Sequence, residues 1–291
     1  VLGISQHNIF LGGINYEKLI MKNRVILVSG LFWNDGRKHD DTVERELEYW
    51  KSKWCYELDK LGDNPMILFL EKRNFELENF VKYGRPIKIV YLDPFEKYKN
   101  LYKSIWNICQ KNPEKGFMTN RTVSVEQIFI WWLKSHLVMG AYEIIEGSDE
   151  TYKDSTMMWV DFGIKGNINN DISFLEHESE DNKITICNYK PDRRNKLSEM
   201  DTISIINEFI NREEAGSMVG STIMSNKIGW NWFNKEICKW HEYLIRHGQL
   251  IDDDMIYDLI YSQIPDAFNI LDQPYNKPAL NVITEYTGKL K

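Results

Sequence analysis

Cysteine is scarce and scattered: Cys55, Cys109, Cys187 and Cys238 are the four in 291 residues, and none stands in a CxxC pair. Zinc-finger spacing is thereby excluded, and so long a chain shows no disulfide framework, which leads us to expect a reduced, cytosolic setting. The six histidines (His7, His39, His136, His177, His241, His247) have no metal-site spacing, and HExxH is absent. No run reaches the roughly 18 apolar residues that cross a bilayer, and no signal-peptide pattern opens the chain. The expected location is cytoplasmic, with peripheral attachment to a membrane left open. Excess positive charge is missing as well: the formal net charge is −7, against a general nucleic-acid binder that relies on phosphate neutralisation. There is no P-loop, no GxGxxG after the first apolar run and no GxSxG elbow, so ATPase, ordinary dinucleotide-binding and serine hydrolase readings lose their usual support. Internal repeats, low-complexity tracts and obvious linkers are also lacking.

What is present is an ordinary globular composition, 43% hydrophobic and 27% charged, with an unusual aromatic load of 10 Trp and 15 Tyr. Short apolar, β-branched runs alternate with helical patterns. Arg24 to Phe32, Pro65 to Leu70, Ile87 to Leu92 and Met157 to Val160 read as buried strands, Lys183 to Asn188 as a half-buried strand, and Gly216 to Met224 as a strand with close backbone approach at its glycines. Helices are expected over Thr42 to Lys60, Phe75 to Val81, Phe95 to Cys109, Ser124 to Ile145, Met200 to Ile210, Ile228 to Arg246 (stopped by Gly248) and Met255 to Gln263. The tail from Pro265 has no clear period. This pattern predicts an α/β fold with a mainly parallel, Rossmann-like central sheet flanked by helices. The natural start is expected at Met21, with residues 1–20 an added N-terminal extension and residues 21–291 one domain.

Three acidic places draw attention. Asp161 closes the Met157 to Val160 strand, and Gly163 lets the backbone turn there or approach a ligand. An acid at the carboxyl end of a parallel strand can hold a divalent cation, or it can cap the next turn. Asp252, Asp253 and Asp254 open a helix, where capping and the macrodipole already favour acids. Three adjacent carboxylates exceed what a cap requires, and their mutual repulsion can hold one pKa high enough for base chemistry. Asp35 and Arg37 follow the first strand, in a surface turn or as an arginine clamp on a phosphate. His136 lies on an apolar helical face and reads as a core residue, while His177, among Glu176, Glu178 and Glu180, reads as part of a solvated loop.

Four blocks in order resemble the HtrL/YibB-like family of glycosyltransferases. They are Phe32-Trp33-Asn34-Asp35-Gly36-Arg37 after the first strand, the Lys134 helix leading into Trp159-Val160-Asp161-Phe162-Gly163-Ile164, the small-residue stretch Ala215 to Ser221, and Asp253-Asp254-Met255-Ile256 followed by Ile264-Pro265-Asp266-Ala267-Phe268. The resemblance spans roughly Arg24 to Leu271. It implies a GT-A-like fold and a hexosyl- or pentosyltransferase that uses a nucleotide-diphosphate sugar, a UDP-sugar in the first instance, with a glycan or other hydroxyl acceptor. Carried onto these residues, it implies a donor site of Val28, Ser29, Phe32, Arg37, Lys134, Asp161 and Gly163, with Asp161 holding Mn²⁺ or Mg²⁺. Gly216 and Gly220 would lie on the acceptor side, and Asp253 or Asp254 would orient or deprotonate the acceptor. The chain departs from the pattern in carrying Asp-Asp where Asp-Glu is more usual, D-x-G where related sugar transferases carry D-x-D, and no histidine after Leu271. A metal-dependent hydrolase of nucleotide sugars or phosphodiesters would use the same carboxylates. A non-catalytic carbohydrate- or protein-binding module would instead use Trp230-Asn231-Trp232-Phe233, which an amphipathic core helix also explains.

Overall fold

Val25–Leu31 (β1) is apolar at successive positions, so both of its faces must be covered, as they are inside a sheet with helices on either side. A computed structural model describes residues 25–32, 38–39, 43–44, 64–71, 87–111, 124–146, 155–162, 172–177, 182–211, 216–274 and 277–290. The expected start at Met21, the Phe75 to Val81 helix, Arg37 and Gly163 lie outside them.

Beside β1 run Met66–Leu70 (β2), Ile87–Tyr91 (β3), Thr156–Val160 (β4), Ile184–Asn188 (β6), Met218–Ser225 (β7) and Phe268–Asp272 (β8). Together they form one seven-stranded sheet in the order β8-β6-β7-β4-β1-β2-β3. Ile172–Leu175 (β5) pairs instead with Gly288–Leu290 (β9) in a separate antiparallel ribbon. The fold is therefore mixed α/β. Strand β7 is antiparallel to both its neighbours, and the other ladders of the large sheet are parallel. The expectation of a mainly parallel sheet holds, with β7 as the exception; its apolar pattern gave no direction.

Side chains alternate between two cores, as the pleat requires. Ile26, Val28, Ile67, Phe69, Met157 and Trp159 face one, while Val25, Leu27, Met66, Leu68, Met158 and Val160 face the other. The first core is roofed by Val125–Trp132 (α3), Lys134–Glu146 (α4), Thr202–Asn211 (α6), Lys227–Arg246 (α7) and Asp253–Gln263 (α8). The second is closed by Leu175 and by Ala279, Leu280 and Ile283 of Ala279–Thr287 (α9). Pro94–Lys97 (α1) and Lys99–Lys111 (α2) follow β3, and Pro191–Ser198 (α5) follows β6.

Several expectations need correction. The helix expected over Ser124 to Ile145 is two: Leu133 interrupts it with an N–H bonded to Ile130 O, and Lys134 opens a new segment. Periodicity passes through this break because both segments bury the same side. Val43–Glu44, expected inside a helix from Thr42, pairs with Lys38–His39 in a short antiparallel ladder; residues 45–60 lie outside the described set. The tail that showed no period contains β8 and α9. No described helix is long and apolar enough to cross a membrane.

Candidate functional site

The order β3-β2-β1-β4 creates a topological switch point. From β1 the chain moves outward on one side through β2 and β3, and returns on the other side as β4. Ligands in open α/β sheets bind outside the carboxyl ends of the strands at such a point. The two strands flanking it are stitched together by the Ser29 hydroxyl, which donates to Val160 O at 2.7 Å.

Asp161 follows β4 at this edge, its N–H still bonded to Ser221 O of β7. Residues two apart on a strand share a face, so Asp161 projects to the side of Trp159. The Trp159 indole N–H donates to Asp161 Oδ1 at 2.6 Å. From the same side comes Lys134, the first residue of α4. Its Nζ lies 3.2 Å from Asp161 Oδ1, 2.8 Å from Asp253 Oδ2 and 2.9 Å from Gly220 O. A lysine ammonium has three donors, and here each has an oxygen.

Helix α8 reaches the cluster through its first turn. Asp252 is the cap, accepting from Met255 N at 2.9 Å. Its position is fixed by Trp132, whose indole N–H donates to Ile251 O at 2.9 Å. Asp253 Oδ2 accepts from Tyr257 Oη at 3.0 Å, and Asp254 Oδ1 accepts from Gly220 N at 2.6 Å. One turn on, Asp258 accepts from Ser217 N at 2.6 Å and from its hydroxyl at 2.5 Å. Tyr189, beyond β6 at the same edge, donates to Gly216 O at 2.6 Å.

The glycines explain how helix and strand come so close. A Cβ on Gly220 would stand 2.5 Å from Asp253 Oδ2 and 2.7 Å from Asp254 Oδ1, and one on Gly216 would stand 3.0 Å from the Asp254 backbone. The close approach that these glycines permit is thus made by α8, where an acceptor was expected.

Burial sets the electrostatics. The side chains of Lys134 and Asp253 are 6% and 8% exposed, whereas that of Asp161 is 35% exposed and forms the open member of the cluster. Desolvation would lower the Lys134 pKa, but the charges of Asp161, Asp253 and Asp254 outweigh it and hold it above its ordinary value. Desolvation pushes all three acids of the α8 turn up. For Asp254 the carboxylates of Asp253 and Asp252 add to that push, whereas for Asp253 the nearby Lys134 opposes it. The Tyr257 phenol is also driven well above its usual value, by burial and then by Asp253 and Asp254.

The sequence therefore named Asp161, Lys134, Asp253, Asp254, Gly216 and Gly220, and the structure brings all six together. It does not bring the β1 side chains with them. Val28 and Phe32 are buried in the main core and the Ser29 hydroxyl is spent on Val160, so this stretch can offer a ligand only backbone. Lys134, expected in the donor site, has its ammonium committed to internal oxygens. Trp159 and Tyr257 were missed as site residues. Both stand at readable spacings, two residues before Asp161 on a strand and four after Asp253 on a helix.

The described residues do not make a cage for a divalent cation. No group of three or more His, Cys, Asp or Glu side chains among them is arranged to hold one. The place between Asp161 and Asp253 is filled by the Lys134 ammonium.

No family model matches the chain, so none supports the resemblance to the HtrL/YibB-like proteins, and no curated protein matches it either. Among solved structures, the apo form of mouse xyloside xylosyltransferase 1 is similar over 86% of this chain and 85% of that one. Sequence identity there is 10% and the TM-score 0.42.

Proposed function

We propose that this chain is a glycosyltransferase that moves a sugar from a nucleoside diphosphate donor, a UDP-sugar in the first instance, to a hydroxyl of a glycan-like acceptor. The observation that carries the reading is the position of Asp161: a partly open carboxylate at the switch point between β1 and β4, braced from behind by Trp159 and Lys134. The nucleotide would lie along the carboxyl ends of β1 and β4, with the β1 backbone beneath it and the sugar turned toward Asp161. Transfer forms a bond from the acceptor oxygen to the anomeric carbon and breaks the bond from that carbon to the phosphate oxygen. The nucleoside diphosphate leaves, and the acceptor proton passes to a carboxylate. Asp253 and Asp254 suit that last role by their chemistry, since burial makes them more basic than an ordinary aspartate. Arg37 remains the proposed partner of the diphosphate.

Thermal unfolding against a panel of nucleotides and nucleotide sugars tests the reading, because a ligand selective for the native state raises the apparent stability by mass action. An upward shift confined to one nucleotide family, reduced in Asp161→Asn for the sugar nucleotide but retained for the free nucleotide, is the expected result. Folded protein that shifts with none of them would remove the transferase reading.

A further inference from the structure

Asp161 was expected to be a cation ligand, yet its inner oxygen is already taken twice, by the Trp159 indole at 2.6 Å and by Lys134 Nζ at 3.2 Å. The same Nζ lies 3.5 Å from Asp161 Oδ2, 2.8 Å from Asp253 Oδ2 and 2.9 Å from the Gly220 carbonyl. Oxygens from β4, α8 and β7 thus converge on one buried positive charge. That is the kind of oxygen shell a hard divalent cation takes, but here the charge is covalently part of the chain. A second cation placed against Asp161 would stand within a few ångströms of this ammonium, and their repulsion in a poorly solvated pocket would be strong.

We infer that Lys134 is a resident substitute for the divalent cation, and that the exposed side of Asp161 accepts hydroxyl hydrogens from a sugar ring rather than ligating a metal. The inference deepens the glycosyltransferase reading and rests on it for the identity of the sugar; the claim about the cation stands on the Lys134 geometry alone. Lys134 acts as a positioning residue. It fixes Asp161 from behind and ties that carboxylate to Asp253, so that both keep their orientation without a metal.

Chelator-stripped protein titrated with Mn²⁺ and followed by the electron paramagnetic resonance of the free ion gives the test. The wild-type protein is expected to leave the free-ion signal unchanged. Lys134→Ala empties the ammonium's position between Asp161, Asp253 and Gly220 O. This variant, refolded with Mn²⁺ if it does not fold without it, is expected to take up the ion and to lose that ability when Asp161→Asn is added. Mn²⁺ uptake by the wild type that Asp161→Asn abolishes would overturn the inference, as would a folded Lys134→Ala that takes up none. In parallel, the thermal shift with the sugar nucleotide should be the same in chelator as in Mn²⁺; a shift that needs Mn²⁺ also overturns the inference while leaving the transferase reading intact. If no nucleotide sugar shifts the protein under any condition, the transferase reading falls, and the Mn²⁺ titration still decides the role of Lys134.

Discussion

Lys134 opens α4, and the N-terminal end of a helix is where a cation is least favoured. Its side chain is nonetheless buried and charged, which is sustainable only because Asp161 and Asp253 face it. Removing one partner of a buried ionic cluster leaves the others uncompensated. Lys134→Met should therefore cost about 3–5 kcal/mol of stability even though Met fills much of the same volume. Urea unfolding at neutral pH measures this directly, as a fall in midpoint at unchanged slope. A loss well under 1 kcal/mol would mean that the ammonium contributes little to holding the acids. The sequence made Lys134 visible only as a residue in a motif block. Its partners come from β4 and from α8, far along the chain, and no local period links them.

Strand β7 and helix α8 meet at Gly220, where the missing side chain is a packing requirement. An added methyl would collide with Asp253, Asp254 and the Tyr257 ring, at 2.5 to 2.8 Å. Gly220→Ala should cost about 1–3 kcal/mol, the usual range for overpacking, and should weaken nucleotide-sugar binding by displacing Asp253 from Lys134. Gly140→Ala is the matched control, because a Cβ there meets nothing closer than 3.9 Å. Equal losses in the two variants, read as unfolding midpoints, would reject the packing argument. At this scale much was legible. Strands β1, β2, β3 and β4 announced themselves as apolar runs, Gly248 with φ +65° ends α7, and Asp252 caps α8. What stayed hidden had physical reasons. Strand β8 is an edge strand with half-exposed positions and α9 follows a proline-punctuated turn, so neither shows a clean period. The acids of the α8 turn were legible as chemistry, but their burial was not, since it depends on the approach of Gly216 and Gly220.

Across the whole molecule, two sets of buried groups pull the pH dependence of stability in opposite directions. His241 stacks on Trp132 with ring centroids 4.1 Å apart, and its Nε2 is buried with no hydrogen-bond partner among the described residues; His136 lies 6.2 Å away, beside Cys238. Desolvation holds His136 down to about 4 from its ordinary 6.5, with Lys97 adding to the effect, and desolvation also holds His241 well below its ordinary value. Between these values the unfolded chain binds protons that the native state refuses, so stability falls as pH drops from 6.5 toward 4. The contribution of His136 alone is on the order of 3 kcal/mol, from about 1.4 kcal/mol per pKa unit. The acids act the other way. Desolvation first, then Asp253, raises Asp252 from 3.8 to about 7, and burial raises Asp258 to about 6. Their native states keep protons that the unfolded chain has released. The stability they contribute is full below about pH 4 and is lost as pH rises through 6 to 7. The two sets therefore offset each other in part between pH 4 and 7, with the opposing slopes exposed by substitution. His241→Phe keeps a ring against Trp132 and loses no bond at Nε2, so it should be relatively more stable than wild type at the acid end. Asp252→Asn retains a good helix cap but no longer titrates, so it should gain on wild type as pH rises toward 7. Urea unfolding across this range reads both effects, and the same slope in all three proteins would mean that neither buried set controls the pH response.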